Sequence, residues 1–344
     1  MKKWLSVILA VAMLMTVTSV FAEGMTVVKT GTLSLLNMPE MQVANYMQAR
    51  KVAVQYMISK ELGTRNIPVR SGADGLTYAV TYYDSLDAML MALNAGEIGM
   101  MEMYHCVAKY LCAQNDQLLL GIEFAENPDD PFQQMIFSGI LSNDFSFLMM
   151  ENNAELRDSF NAAIASMKED GTLDKLVEEQ ITNLTSGGEI VAVELPTIEG
   201  AKTIKVAVTG ALPPMDFVAP DGAPAGFNTA VLAEISRRMG VNIELVVVDS
   251  IGRATALASG TVDAVFWTRT NNASAAMENR PENPVDRRFQ LSEADAAILE
   301  KIDALIDFSE YAKADMPEGT ITTDSYFSDY LVSVYTTAAV REMN

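Results

Sequence analysis

Apolar and amphipathic stretches alternate along the C-terminal part of the chain. Residues 203–210 predict a strand and a turn, and residues 226–240 predict an amphipathic helix that ends at a glycine. Residues 242–249 form a nearly continuous apolar run, which is typical of a strand covered on both faces. A short helical stretch and a further buried strand over 262–267 follow. This alternation favours right-handed βαβ units with a parallel sheet.

The N-terminal part repeats the alternation more loosely. Strand patterns occupy residues 27–37 and 76–84, and a helix, a glycine and a short strand follow over 85–103. Residues 84–87 parallel residues 249–252, since each stretch precedes an Ala- and Leu-rich helix, a glycine and a strand. We interpret this parallel as a weak internal repeat.

The first 22 residues have the layout of a secretory signal peptide. Lys2 and Lys3 precede an apolar run, and Val20 and Ala22 are the small residues of a cleavage site. A membrane anchor is the alternative, but the run is shorter than the ~20 residues that span a bilayer comfortably. No Cys follows that could carry a lipid. We therefore expect cleavage after Ala22 and a secreted or periplasmic protein.

A stretch with Ser, Gly and Pro divides the remaining chain into two segments of similar size. We predict a first lobe over 23–184, a linker over 185–201 and a second lobe over 202–344. The expected fold class is α/β, with two lobes of mainly parallel sheet flanked by helices. Two truncated or rearranged domains are the alternative.

Composition and charge exclude several classes of function. The chain of 344 residues carries 24 Lys and Arg against 45 Asp and Glu, a formal charge of −21. This acidity argues against a nucleic-acid partner, because a polyanion would be repelled. The single His and the two Cys give no metal-binding pattern. No nucleophile elbow, metalloprotease, dinucleotide or P-loop pattern is present, so we expect no catalytic residue, no metal and no cofactor.

Several short motifs occur in a defined order along the chain. They are the turn at 210–217, the glycine-bearing stretches at 221–222 and 226–228, the strand and helices over 147–181, and two Leu- and Gly-bearing elements at 93–99 and 257–264, of which the second also contains Asp263. Their order resembles that of bacterial extracellular solute-binding proteins of the polar-amino-acid class, which serve ABC transporters. The resemblance implies a periplasmic-binding-protein fold and capture of a small polar ligand between two lobes.

Ligands of open α/β sheets bind beyond the carboxyl ends of the strands, so the loops there hold the candidate site residues. In the family, hydroxyls, backbone N–H groups and an arginine of the loop after 262–266 hold a ligand carboxylate, which a guanidinium can bind through two parallel hydrogen bonds. Arg269 is the candidate here, and Arg280 is the nearest later one. The ligand-binding candidates are Leu212, Pro214, Asp216 and Phe217, then Trp267, Thr268, Arg269 and Thr270, and in the first lobe Glu102 and Tyr104.

Packing roles compete with binding roles at several of these positions. Trp267 either stacks on a ligand at the cleft edge or lies in the core, and the same choice holds for Phe217. A carboxylate at Glu102 would suit a ligand ammonium group.

Three classes of function stay open. The leading prediction is a solute-binding protein that closes on an amino acid or related molecule, delivers it to an ABC permease and meets the membrane only through that permease. The alternatives are a sensory or interaction module on the same fold, or a dehydratase-like enzyme that would use Glu102 and Asp216.

Overall fold

The computed structural model describes residues 26–33, 76–121, 142–249, 252–270 and 318–337. Within these residues the chain forms a ten-stranded sheet flanked by helices, and a small three-stranded sheet. The mixed α/β fold class predicted from the sequence is confirmed. The predicted signal peptide over 1–22 and the later candidate Arg280 lie outside the described residues.

The strands, in chain order, are β1 (Thr26–Leu33), β2 (Leu76–Tyr83), β3 (Met100–Tyr104), β4 (Leu118–Leu120), β5 (Ser142–Met150), β6 (Thr203–Val208), β7 (Ala211–Leu212), β8 (Asp216–Val218), β9 (Pro224–Ala225), β10 (Asn242–Val247), β11 (Ala264–Thr270), β12 (Thr320–Thr322) and β13 (Phe327–Thr336). The helices are α1 (Leu86–Asn94), α2 (His105–Gln114), α3 (Ala154–Glu169), α4 (Thr172–Val177), α5 (Phe227–Met239) and α6 (Gly252–Ala258). A 3₁₀ turn over Glu151–Asn153 precedes α3, and a π-helical turn over Glu178–Thr182 and a last helical turn over Asn183–Thr185 follow α4.

Two units of the same strand order supply six of the ten strands of the large sheet. In the N-terminal unit β1 pairs in parallel with both β2 and β3. In the C-terminal unit β6 pairs in parallel with both β10 and β11. Each unit therefore places its first strand in the middle, with the second and third strands on either side. This shared order confirms the internal repeat that the sequence indicated.

Two antiparallel strands join the units. β5 precedes the predicted linker in sequence, yet it pairs with β11 of the C-terminal unit. β13 pairs with β5 over Phe327–Tyr330 and with β3 over Leu331–Val334. This last strand therefore belongs to both halves of the sheet. The division at 185–201 stays a prediction, and β5 and β13 each pair with a strand from across it.

Buried methionines and aromatic residues fill a core that extends through both units. Met89, Met101 and Phe147 are fully buried from the N-terminal side, and Val231 and Phe266 from the C-terminal side. Methionine is flexible and fills irregular gaps. The buried methionines therefore act as core residues.

β13 also caps α2, the helix that carries both cysteines. A carboxylate oxygen of Asp329 accepts the main-chain N–H of Cys106 at 2.9 Å, and the His105 ring stacks on Tyr330 with 4.7 Å between ring centroids. The N-terminal N–H groups of a helix lack partners inside the helix, so this carboxylate satisfies one of them. Both cysteines are free thiols.

Candidate functional site

A buried carboxyl group organises the loop that follows β6. One oxygen of Asp216 accepts the main-chain N–H groups of Thr209 and Gly210 at 2.7 Å and 2.6 Å. Its other oxygen accepts the Thr209 hydroxyl at 3.0 Å. Asp216 is only 2% exposed. The carboxyl group therefore closes the turn between β6 and the small sheet.

Burial changes the acidity of this group. Removal from water raises the pKa of Asp216 from 3.8 to about 7, because the charged form loses its hydration. The hydrogen bonds from Gly210 and Thr209 and the charge of Arg253 act in the opposite direction on this pKa without overcoming the burial. The site thus contains a carboxyl group that titrates near neutral pH.

The same loop is fixed to the start of α5. The N–H groups of Phe227 and Asn228 donate to the carbonyl oxygens of Pro214 and Met215 at 2.9 Å and 2.7 Å. Gly226 precedes the helix with φ 101°, and a Cβ there would lie 2.6 Å from the Met215 carbonyl oxygen. Only glycine suits both this conformation and this close approach.

An arginine that the sequence did not single out lies beside this loop. Arg253, in α6, is buried, and its Nη2 donates to the carbonyl oxygen of Phe266. The guanidinium carbon lies 5.4 Å from the centre of the Phe266 ring. Burial lowers the pKa of Arg253 to about 10, while the nearby Asp216 and Tyr326 raise it. The side chain therefore keeps its positive charge at neutral pH.

Tyr326 links α5 to β11. Its hydroxyl donates to Asn228 Oδ1 at 2.8 Å and accepts the main-chain N–H of Trp267 at 3.1 Å. Trp267 has φ 46°, an uncommon value for a non-glycine residue, and the pairing of β11 with β5 shifts register between Val265 and Thr268. Backbone strain of this kind is concentrated at functional sites in proteins.

Three buried donor atoms around this bulge have no hydrogen-bond partner among the described residues. They are Asn228 Nδ2, Arg253 Nε and Trp267 Nε1. We call Asn228, Arg253 and Trp267 the donor cluster. Each is connected to the others through Tyr326 or through the main chain at residues 266–267. Buried polar atoms are nearly always paired, so three unpartnered donors on residues linked by these hydrogen bonds suggest that an acceptor belongs there.

Most of the sequence-predicted residues of the C-terminal unit are buried. Arg269 and Thr270 lie in β11 opposite Phe145 and Asp144, and the described structure does not extend to their side chains. Thr268 is half-buried. The buried ones are Leu212, Pro214, Asp216, Phe217 and Trp267.

The first-lobe candidates are buried as well. Ser333 donates its hydroxyl to a carboxylate oxygen of Glu102 across the β3–β13 pair. Tyr104 contacts Phe145 and Trp267, with ring centroids 4.6 Å and 5.3 Å away. Phe145 and Trp267 stack at 4.7 Å.

We call Tyr104, Phe145 and Trp267 the aromatic seam, because they join the two units where the sequence predicted a cleft. Tyr104 and Trp267 were predicted as ligand-binding candidates of the two lobes, and their rings pack against each other in the core. The core alternative for Trp267 therefore describes its position in this conformation. Contact of either side chain with a ligand stays a prediction.

The described part of the chain holds no group of three or more His, Cys, Asp or Glu residues that could bind a metal ion. Within the same part, no helix has the length and apolar character needed to cross a membrane.

Comparison with known proteins gives one family match. The model of "Bacterial extracellular solute-binding proteins, family 3" matches residues 204–277, which include β6, α5, α6, β11 and the whole donor cluster. No curated protein sequence matches the chain.

Solved structures of low identity also align with the chain. A zinc-bound ligand-binding component of an ABC-type import system from Staphylococcus aureus is 9% identical over 92% of this chain and 68% of that one, with a TM-score of 0.37. AgaA of A. tumefaciens R10 in complex with agropinic acid is 10% identical over 76% of this chain and 55% of that one, with a TM-score of 0.35. An ancestral arginine-binding protein is 13% identical over 92% of both chains, with a TM-score of 0.33.

This chain spans little more than half the length of AgaA, and all three TM-scores are too low to support a conclusion about its ligand. The resemblance to the bacterial extracellular solute-binding proteins is confirmed by the family match, for the segment over residues 204–277 that carries the donor cluster.

Proposed function

We propose that this protein is an extracytoplasmic solute-binding protein that captures a small polar ligand, an amino acid or a related molecule, and delivers it to an ABC permease. The observation that carries the proposal is the donor cluster, whose three buried donor atoms have no partner among the described residues. Secretion through a signal peptide cleaved after Ala22 is part of the same proposal.

The position of the cluster supports a ligand site. β6 and β11 are neighbouring parallel strands, and the chain after β6 leads into the loop that holds Asp216. Ligands of open α/β sheets bind beyond the carboxyl ends of such strands. The residues that match the solute-binding family include all of these elements.

The chemistry of the cluster favours a ligand rich in oxygen acceptors. An arginine guanidinium, an indole N–H and an amide NH₂ all donate hydrogen bonds, and the guanidinium and indole cannot accept any. A carboxylate offers two oxygens with lone pairs for such donors.

Binding without catalysis is the simpler proposal for this arrangement. The dehydratase-like alternative needs a free carboxyl group in the site. The Asp216 carboxyl is engaged by the Thr209 and Gly210 N–H groups, and that of Glu102 by the Ser333 hydroxyl. These contacts give both carboxyl groups a structural role.

A thermal-shift screen with amino acids, amines and small organic acids tests the proposal. We expect at least one compound to raise the melting temperature of the wild type, because a ligand that binds only the folded state stabilises it. Arg253→Gln should abolish the shift. Arg237→Gln is the control, since Arg237 is an exposed arginine of α5 that pairs with Glu234. A wild type that responds to none of these compounds would contradict the proposal.

The aromatic seam favours a second candidate, a sensory or interaction module that has lost ligand binding. Tyr104, Phe145 and Trp267 fill the space between the units, and β13 ties both units into one sheet. Such a module would show no thermal shift with any small molecule, which separates it from the leading proposal.

A further inference from the structure

Asp216 adjoins the donor cluster in the fold, because the carbonyl oxygen of Met215, the residue before it, accepts the main-chain N–H of Asn228 at 2.7 Å. Asp216 and Arg253 are both buried, and their charges act on each other. One buried cation and one buried anion sum to zero. An anionic ligand added to this site would leave one buried negative charge without compensation, which is costly in an apolar interior.

We propose that the site takes up a small carboxylate anion together with one proton, with the anion on the donor cluster and the proton on Asp216. This inference rests on the ligand-binding function proposed above. Protonation of Asp216 restores charge balance, because the positive charge of Arg253 then compensates the negative charge of the ligand. The protonated carboxyl group can still accept the N–H groups of Thr209 and Gly210 through its carbonyl oxygen, and its O–H can donate to the Thr209 hydroxyl.

The surroundings of Asp216 are suited to such a role. Arg253 of α6 is the charged residue that acts on the Asp216 carboxyl group. Tyr326, which lies just before β13, is a titratable neighbour of the same group. Burial raises the pKa of Tyr326 far above the physiological range, so this hydroxyl stays neutral. The loop after β6 contributes only N–H groups and the Thr209 hydroxyl. Among these neighbours, Asp216 alone can change its charge near neutral pH.

The proposal predicts a defined pH dependence of binding. Each proton taken up with the ligand changes the affinity tenfold per pH unit when the acceptor is ionised in the free protein. Above pH 7 the affinity of the wild type for a monocarboxylate should therefore fall about tenfold per pH unit, and below pH 6 it should level off.

Calorimetric titration with acetate and with L-lactate at pH 5.5 to 8.5 tests this, since both probes stay ionised throughout. At pH 8, titrations in buffers of different ionisation enthalpy should report uptake of about one proton per anion. Asp216→Asn should bind with no proton uptake and with little dependence on pH. Asp221→Asn, which changes an exposed acid of the neighbouring turn, should behave as the wild type does.

The proton count in the wild type keeps the proposal testable even if Asp216→Asn does not fold. Binding of these anions without proton uptake, or with a pH-independent affinity, would overturn the inference and leave the proposed function in place. Binding of amino acids but not of either monocarboxylate would do the same. Failure of every compound in the wider screen would overturn both.

Discussion

The buried carboxyl group of Asp216 makes the stability of the fold depend on pH in a predictable direction. Its pKa is about 7 in the folded protein and near 3.9 in an unfolded chain, so between these values the folded state binds more protons. The contribution of Asp216 to the free energy of unfolding is therefore fully present below about pH 4, and it is lost as the pH rises through 7.

The magnitude follows from the pKa difference. A shift of about 3 units at 1.36 kcal/mol per unit amounts to about 4 kcal/mol over the whole range. About 2.5 kcal/mol of this falls between pH 5 and pH 8, because part of the change is complete below pH 5. Asp216→Asn keeps the shape and lets an amide oxygen accept the N–H groups of Thr209 and Gly210, but it cannot titrate.

Urea unfolding at pH 5 and pH 8 measures the effect. Other titrating groups contribute equally to wild type and variant. From pH 5 to pH 8 the free energy of unfolding of the wild type should therefore fall by about 2.5 kcal/mol more than that of Asp216→Asn. Asp221→Asn is the control, and it should keep the wild-type difference because Asp221 is exposed. If wild type and Asp216→Asn lose the same free energy, the assignment of a raised pKa to this buried carboxyl group is wrong.

Three further substitutions test the packing around the site. Gly226→Ala should lower the free energy of unfolding by about 2 kcal/mol or more in a urea titration, since its Cβ would lie 2.6 Å from a carbonyl oxygen. Gly222→Ala is the matched control and should cost less, because Gly222 also has a positive φ of 87° but open space around it. Tyr326→Phe should cost about 1–3 kcal/mol in chemical denaturation, because it leaves Asn228 and the N–H of Trp267 without their partner. Trp267→Ala should cost about 3–5 kcal/mol by calorimetry through the cavity it opens, and a loss under 1 kcal/mol would show that the aromatic seam is not packed as described.

Local patterns predicted much of the fold. The apolar run over 242–249 and the amphipathic stretch over 226–240 correspond to β10 and α5, and Gly240 ends α5 in the left-handed conformation with φ 65°. These features depend on residues close in sequence, where strand and helix periodicity and glycine geometry act directly.

Pairing between distant segments could not be predicted in the same way. β5 and β13 cross between the units, and nothing in their own residues specifies a partner more than a hundred positions away. The bulge in β11 depends on that pairing, and so does the positive φ of Trp267. The sequence could therefore mark this strand as buried but not its irregular course.

The same reason explains which site residues were missed. Asp216 and Trp267 were singled out, because they follow strands in the sequence. Arg253 resembles an ordinary arginine of a short helix, and its burial follows from its contact with the Phe266 carbonyl. Asn228 and Tyr326 are 98 positions apart and acquire their role only when β13 returns to the sheet. An arginine in an otherwise Ala-rich helix was the one signal available.

The central claim is that the donor cluster holds a small molecule. Native mass spectrometry of protein purified without denaturation tests it most directly. The account predicts a bound carboxylate-containing species on the wild type and on Arg237→Gln, and its loss from Arg253→Gln. A folded wild type that carries no small molecule, and gains none when incubated with amino acids and organic acids, would contradict it.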